Sequence, residues 1–238
     1  MEKDNTAARI VSTIVFGVIA VVLVGLIIFN SSDHKTIADK AWDVKTVLGD
    51  AETAKYHYIM YTDIMCPYCD VFSRLTIENE EEFEQYLADN KIAFEVRVTD
   101  MLYESNGQEF SKTSAHGAYC AASEGKFWEY YHNAISSLWD DYHSKGIGSS
   151  KTAPQISDMT DEYWLEIGHE VGLGETFDNC VTSEQFADLL YKNTVKASTA
   201  IYGGGLPYFQ FGSFETSGFD PSWDYSYVQK YLDAGLSS

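Results

Sequence analysis

Two cysteines, Cys66 and Cys69, are the side chains of this sequence best suited to covalent chemistry. They follow an apolar and aromatic run at 56–61, and Pro67 and Tyr68 lie between them. At the start of a helix this spacing brings two thiols within one turn, and the helix amide groups favour a thiolate on the first. The pair is therefore predicted to exchange a disulfide with another protein.

Zinc binding is the main alternative for such a pair. A tetrahedral zinc site needs four ligands, usually from two cysteine pairs or from one pair with closely spaced histidines. The other cysteines, Cys120 and Cys180, are isolated, and the six histidines form no cluster with ligand spacing. A purely structural bridge between Cys66 and Cys69 is also disfavoured. Closing so small a loop removes little conformational entropy from the unfolded chain and therefore adds little stability. We predict a redox pair and no metal site.

Residues 10–29 form an apolar stretch without a charged residue. A helix of about 20 residues spans roughly 30 Å, the thickness of a hydrocarbon core, so a transmembrane helix is predicted. A cleaved signal peptide is the alternative, but its apolar region is usually shorter and ends at a small-residue cleavage site. The basic residues Lys3 and Arg9 predict that 1–9 are cytoplasmic and that the chain beyond a linker at 30–40 is extracytoplasmic.

Composition limits the function further. The chain has 238 residues, four cysteines and a formal net charge of −20. This charge excludes a nucleic-acid-binding role, which needs clustered lysine and arginine. Four cysteines can pair as two bridges in an oxidising compartment with none left over, in agreement with the predicted location. Residues 41–238 suffice for one domain with a proper core.

Hydrophobic periodicity predicts an α/β domain with an inserted helical subdomain. The predicted elements are strands at 56–61, 92–98 and 208–211, a turn at 212–218, and helices at 66–89 with a break near 76–78, throughout 108–202, and at 221–236. The last helix is expected to begin with Pro221 in its first turn. Since the helical stretch separates the strands, it is interpreted as an insertion into a small mixed sheet.

Three segments resemble the DsbA-like thiol:disulfide oxidoreductases, a family with a thioredoxin fold and a helical insertion. The segments are 61–69 with the cysteine pair, 120–132, and 205–209 with the sequence Gly-Leu-Pro-Tyr-Phe. The resemblance extends over roughly 41–236. It implies a thioredoxin-like fold and an enzyme in which Cys66 is the exposed nucleophile and Cys69 its buried partner.

The resemblance also assigns residues around the nucleophile. Pro207 resembles the family's cis-proline, which places the backbone of Leu206 opposite Cys66, where an extended substrate can pair as an added strand. An ordinary proline at a strand start is the alternative. Pro67 and Tyr68 are the residues between the thiols that tune their reactivity.

Two further expectations concern the interior. Related oxidoreductases can join positions such as Cys120 and Cys180, so a structural disulfide is expected there, with two buried free thiols as the alternative. Family members also often carry a buried acid six residues before the nucleophile, where this chain has Met60. Asp63 is the nearest acid, and a surface or turn-capping role suits it at least equally well. The sequence therefore assigns no proton acceptor to the buried thiol.

Together these observations predict a membrane-anchored oxidase that forms disulfides in exported proteins. The resemblance implies that it returns electrons to a quinone-linked membrane partner of the DsbB or vitamin K epoxide reductase (VKOR) type, without a cofactor of its own. Its reduction potential is expected between about −230 and −120 mV, from glutaredoxins to DsbA. A disulfide reductase or isomerase, and a non-catalytic thioredoxin-fold binding module, are the alternatives.

Overall fold

A computed structural model describes residues 46–106, 108–148, 156, 159–201, 204–211 and 213–237. The predicted transmembrane segment 10–29 and the linker 30–40 lie outside these residues. Within the described part of the chain, no helix is long and apolar enough to cross a membrane. The membrane anchor thus stays a prediction.

The described elements follow an α/β order. The first group comprises strands β1 (Val47–Leu48) and β2 (Tyr56–Thr62), helices α1 (Pro67–Glu78) and α2 (Glu80–Asn90), and strand β3 (Ile92–Val98). The second group is helical and comprises α3 (Met101–Asn106), α4 (Glu109–Ser123), α5 (Phe127–Asp141), a 3-10 helix (His143–Lys145), α6 (Asp161–Glu170), α7 (Glu175–Thr182) and α8 (Ala187–Ala200). The third group comprises β4 (Tyr208–Phe211), β5 (Phe214–Ser217) and α9 (Tyr225–Leu236). Helices α4 to α8 occupy the stretch that was predicted to be a helical insertion.

The strands form one mixed sheet in the order β1-β3-β2-β4-β5. Strands β2 and β3 are parallel, and the other neighbouring pairs are antiparallel. In the central pairing Tyr61 of β2 lies opposite Tyr208 of β4. The carboxyl end of β2 therefore lies beside the amino end of β4, and this brings the segment after β2 close to the segment before β4.

The two faces of the sheet bury different parts of β2, because side chains alternate along a strand. Tyr58 and Met60 belong to a large core shared with helices of both the sheet domain and the insertion. Ile59 and Tyr61 belong to a smaller apolar cluster that also contains Ala197 of α8 and both cysteines of the reactive pair. The thiols are therefore packed on the side of the sheet that α8 covers.

The closing helix begins later than predicted. Its first residue is Tyr225, not Pro221, because the side chain of Asp224 accepts a hydrogen bond from the backbone N–H of Ser226 and caps the helix there. Pro221 lies in the preceding turn, which the side chain of Asp220 stabilises by accepting backbone and side-chain hydrogen bonds. Two capping acids were available, and the second one starts the helix.

Two other predicted boundaries differ from the structure. The segment predicted as a turn at 212–218 contains strand β5, because Phe214 pairs with Phe211 and the following residues extend that antiparallel ladder. The break predicted near 76–78 occurs at Asn79, whose side-chain amide donates a hydrogen bond to the carbonyl of Leu75.

Candidate active site

Cys66 lies at the amino terminus of α1, directly before its first residue Pro67. Its backbone is extended, with φ −87° and ψ 117°, and the fixed φ of proline suits the first helical position. The backbone N–H of Cys66 donates to the carbonyl of Asp63 at 3.0 Å, and its carbonyl accepts from the N–H of Asp70 at 2.9 Å. These bonds hold the Cys66 side chain at the positive end of the helix, where a thiolate is stabilised.

Both thiols of the pair are buried, so the expected exposure of Cys66 is wrong, although a small part of this residue reaches solvent and none of Cys69 does. Both are free, with Cys66 5% exposed and Cys69 fully buried. Burial, and after it the hydrogen bond with Cys66, raises the pKa of the Cys69 thiol. In the reduced pair Cys69 therefore keeps its proton, and Cys66 is the sulfur placed to attack or to be attacked.

Leu206 and Pro207 lie beside the nucleophile. The Leu206-Pro207 peptide bond is cis, and the carbonyl oxygen of Leu206 is 4.0 Å from Sγ of Cys66. The carbonyl of Pro207 accepts a hydrogen bond from the N–H of Gly218 at 2.7 Å, which ties this loop to the end of β5. The structure thus brings together the residues expected to contact an extended substrate and the thiol expected to react with it.

Pro67 and Tyr68 occupy the first two positions of α1. The Tyr68 side chain is 40% exposed, which is unusual for a large apolar side chain of this domain. It gives the surface next to Cys66 an aromatic character. In the described part of the chain, no group of three histidine, cysteine, aspartate or glutamate side chains is placed to hold a metal ion.

Asp63 is buried and not at the surface. Its carboxylate accepts hydrogen bonds from the backbone N–H of Met65 at 3.0 Å, the N–H of Leu102 at 2.9 Å and the hydroxyl of Ser111 at 2.6 Å. Burial raises its pKa to about 7, against the opposing effect of these hydrogen bonds. Asp63 does cap a turn, and it also links the loop before Cys66 to α3 and α4.

Sequence reasoning did not identify a second buried polar group, formed by Asp70, His143 and Arg74. Oδ2 of the fully buried Asp70 is 3.3 Å from Nδ1 of His143 and 3.8 Å from Nε of Arg74. His143 lies 73 residues away in the 3-10 helix, so no local pattern connects the two. The only sequence signal was that Asp70 directly precedes two apolar residues of α1, Val71 and Phe72, which are buried.

Cys120 and Cys180 form a disulfide that joins α4 to α7. Their Cα atoms are 5.8 Å apart, and both side chains are buried in the larger core. Cys66 and Cys69 belong to the other cluster. The two cysteine pairs therefore lie in separate packing environments of the domain.

The family model described as Thioredoxin matches residues 43–202 of the chain. No curated protein sequence matches it. Among solved structures, alpha-DsbA2 from Wolbachia pipientis, a thiol-disulfide exchange protein, is 17% identical with a TM-score of 0.56, and the match covers 85% of this chain and 94% of that one. MdbA, a thiol-disulfide oxidoreductase from Corynebacterium diphtheriae, is 16% identical with a TM-score of 0.57, covering 79% and 90%.

Reduced DsbA from Mycobacterium tuberculosis is also similar. It is 17% identical with a TM-score of 0.54, and the match covers 81% of this chain and 97% of that one. At these identities the likeness concerns the fold, in which a helical block separates the two parts of the sheet. The family match over residues 43–202 agrees with it, and the chain belongs to the thioredoxin family, with Cys66, Cys69 and Pro207 arranged for thiol–disulfide exchange.

Proposed function

We propose that this protein is a membrane-anchored dithiol oxidase that forms disulfides in exported proteins. The observation that carries the proposal is the asymmetry of its thiols. Cys66 lies at the amino terminus of α1 next to the Leu206 carbonyl, whereas Cys69 is fully buried and burial raises its pKa. A pair of this kind can accept electrons from a substrate dithiol and then pass them on.

The proposed reaction starts from the oxidised pair. A substrate thiolate attacks Sγ of Cys66, so that a mixed disulfide forms and the Cys66–Cys69 bond breaks. Cys69 leaves and takes up a proton, because its raised pKa favours the neutral thiol. A second substrate thiolate then attacks the substrate sulfur of the mixed disulfide, and Cys66 leaves as a thiolate at the helix terminus. The substrate loses two electrons and two protons, and the enzyme is left reduced.

Reoxidation needs an electron acceptor outside this chain. A quinone-linked membrane protein of the DsbB or VKOR type supplies one in the proposal, and the DsbA-like resemblance supports that choice. The Cys66 thiolate, the same sulfur that meets substrate, would attack a disulfide of this partner, and one partner sulfur would leave as a thiolate. Cys69 would then attack Cys66, which closes the Cys66–Cys69 bond and releases the second partner sulfur as a thiolate. The apolar segment 10–29 would hold the domain at the membrane where such a partner lies.

Oxidative refolding of a reduced protein that requires disulfides tests the activity. The wild type should accelerate refolding, and Cys66→Ala should abolish the effect. With a client that has a single cysteine, Cys69→Ala should accumulate a mixed disulfide through Cys66 in a glutathione buffer, because neither a second client thiol nor Cys69 is present to break it. Unchanged refolding by Cys66→Ala would favour a binding module. Equilibration with glutathione measures the reduction potential and so shows whether the enzyme oxidises or reduces its clients. A potential between about −230 and −120 mV supports an oxidase, and a much lower value supports a reductase.

The membrane placement needs a test with the full chain in cells. Alkaline carbonate should leave the protein in the membrane fraction, and deletion of 10–29 should release it. A maleimide that cannot cross the membrane should label reduced Cys66 in intact cells. Labelling only after lysis would contradict an extracytoplasmic site.

A further inference from the structure

The carboxyl group of Asp70 lies within the active-site helix, one turn after the nucleophile. Its backbone N–H donates to the carbonyl of Cys66 at 2.9 Å, in the first turn of α1. Its side chain is fully buried and faces the insertion, where Nδ1 of His143 is 3.3 Å from Oδ2. A negative charge is therefore held inside the protein near the positive end of the helix that also carries the reactive thiol.

This contact is poorly suited to a purely structural role. Among the described residues, Oδ1 of Asp70 and Nε2 of His143 are buried without a hydrogen-bond partner. Arg74 lies 3.8 Å from Asp70, but it donates to Glu78 at 2.9 Å and its guanidinium stacks on the ring of Trp139. A buried charge with unfilled hydrogen-bonding capacity is a weak source of stability, and apolar residues of the same shape could join these elements as well.

Asp70 and Cys69 act on the same buried hydroxyl group. Burial raises the pKa of Tyr131 in α5, and electrostatic interactions with Cys69 and Asp70 raise it further. The Tyr131 hydroxyl is 2.7 Å from the hydroxyl of Ser73. The carboxylate and the buried sulfur are thus close enough in this interior to share an electrostatic neighbour. Among the described residues, the charged and titratable groups that face Asp70 include Arg74 from α1, Tyr131 from α5 and His143 from the 3-10 helix.

A buried negative charge in this position opposes a second one on Cys66. A thiolate and a carboxylate in the first turn of one helix compete for the same partial positive charge, and their repulsion is weakly screened away from water. A dithiol enzyme is a stronger oxidant when its reduced form, which carries the thiolate, is more stable. A negative charge on Asp70 therefore lowers the oxidising strength of the Cys66–Cys69 pair. The His143 imidazole and the Arg74 guanidinium beside Asp70 reduce the size of this effect.

We propose that Asp70, held by His143 and Arg74, is a positioning residue whose buried charge restrains the oxidising strength of the Cys66–Cys69 pair. The inference rests on the proposed function, because it concerns the equilibrium of the same thiol–disulfide exchange. It adds a residue of α1 and a residue of the insertion to the groups that set this equilibrium.

Asp70→Asn tests the inference, since asparagine keeps the shape and removes the charge. With glutathione at pH 7 the equilibrium constant should shift at least tenfold toward the reduced enzyme, which for a two-electron couple is about 30 mV. The pH of half-maximal alkylation of Cys66 by iodoacetamide should fall as well. A purely structural role would lower thermal stability without moving either quantity. Glu81→Gln, which removes one exposed charge from α2, is the matched control and should change the equilibrium constant less than twofold.

An equilibrium constant within twofold of the wild type, or a shift toward the oxidised enzyme, would overturn the role of Asp70 and leave the proposed function intact. A wild-type protein that does not exchange with glutathione would overturn both. Should Asp70→Asn not fold, the double variant Asp70→Asn/His143→Asn replaces the pair by two amides that can bond to each other. The same direction of shift is expected from it, and its absence rejects the proposal.

Discussion

The two cysteine pairs of this domain share one chemistry and have opposite roles in the structure. Cys66 and Cys69 lie in one helix start, remain free, and adjoin the cis-proline loop. Cys120 and Cys180 are 60 residues apart, lie inside two different helices, and are joined in the apolar core. All four side chains are buried, so exposure does not separate the pairs; they differ in their place relative to a helix start and to the cis-proline loop.

Loop length separates the pairs energetically as well. The chain-entropy model gives roughly 4 kcal/mol for a loop of 60 residues, and much less for the short loop of the active-site pair. By loop closure, the Cys66–Cys69 bond therefore contributes less than half as much to the free energy of unfolding as the Cys120–Cys180 bond. The Cys120–Cys180 bond stabilises the insertion that α4 and α7 belong to.

The largest expected effect is on stability, in the double variant Cys120→Ala/Cys180→Ala. Its free energy of unfolding should fall by roughly 4 kcal/mol because the closed loop is lost. Urea unfolding with and without the substitutions measures this. Cys66→Ala is the control and should change the free energy of unfolding little. A loss in the double variant no larger than in Cys66→Ala would remove the energetic contrast between the pairs.

The next effect is on reactivity within the active-site pair. In the reduced native protein, iodoacetamide should modify Cys66 on the order of 100-fold faster than Cys69 at pH 7, because burial raises the pKa of Cys69 and limits access to it. Peptide mass spectrometry at timed intervals gives both rates, and denatured protein provides the control in which the two rates converge. Equal rates in the native state would mean that the thiols are not asymmetric.

A smaller effect concerns Asp63, which links the active-site loop to the insertion. Burial raises its pKa in the folded state to about 7, above the usual 3.8 of an aspartate, so between these pH values the folded state holds a proton that the unfolded chain has lost. The free energy of unfolding should therefore fall as pH rises from about 4 to 7, by up to about 1.4 kcal/mol per pH unit for one proton. Asp63→Asn should flatten this slope by that amount.

Urea titrations at several pH values between 4 and 7 measure the slope. Asp89→Asn, which removes an exposed carboxyl group from α2, should keep the slope of the wild type. The same slope in Asp63→Asn and in the wild type would show that the buried carboxyl group does not take up the proton.

The smallest effect is expected at the surface of the insertion. Nζ of Lys112 in α4 is 2.6 Å from Oε1 of Glu184, so this ion pair links α4 to the turn that directly follows α7. Both side chains are partly exposed, and Lys112→Met should change the free energy of unfolding by less than about 1 kcal/mol. Urea unfolding next to the disulfide double variant compares the two links directly. A loss similar to that of the disulfide would contradict the view that the covalent bond is the main link.

Local sequence patterns predicted much of this site. The strand before Cys66, the helix that begins after it, and the position of Pro207 before β4 each depend on a few adjacent residues. The helical insertion was visible because its periodicity continues over a long stretch. Such features can be predicted because the information for them lies in neighbouring residues.

What could not be predicted depends on packing between distant segments. Asp63 follows a strand, where an exposed turn is expected, but donors from α3 and α4 cover it. Asp70 meets His143 only because the insertion folds back onto α1. The start of α9 depended on a choice between two capping acids, Asp220 and Asp224, which a preference for proline at a first helical turn does not decide.

The bond between α4 and α7 has a consequence for how the protein is made. A newly synthesised chain has four thiols, and two of them must be converted permanently before the insertion reaches its final covalent form. Each new copy thus has to give two electrons to some acceptor during its own biogenesis. Maturation of this protein therefore itself depends on thiol–disulfide chemistry, the chemistry for which Cys66 and Cys69 are arranged.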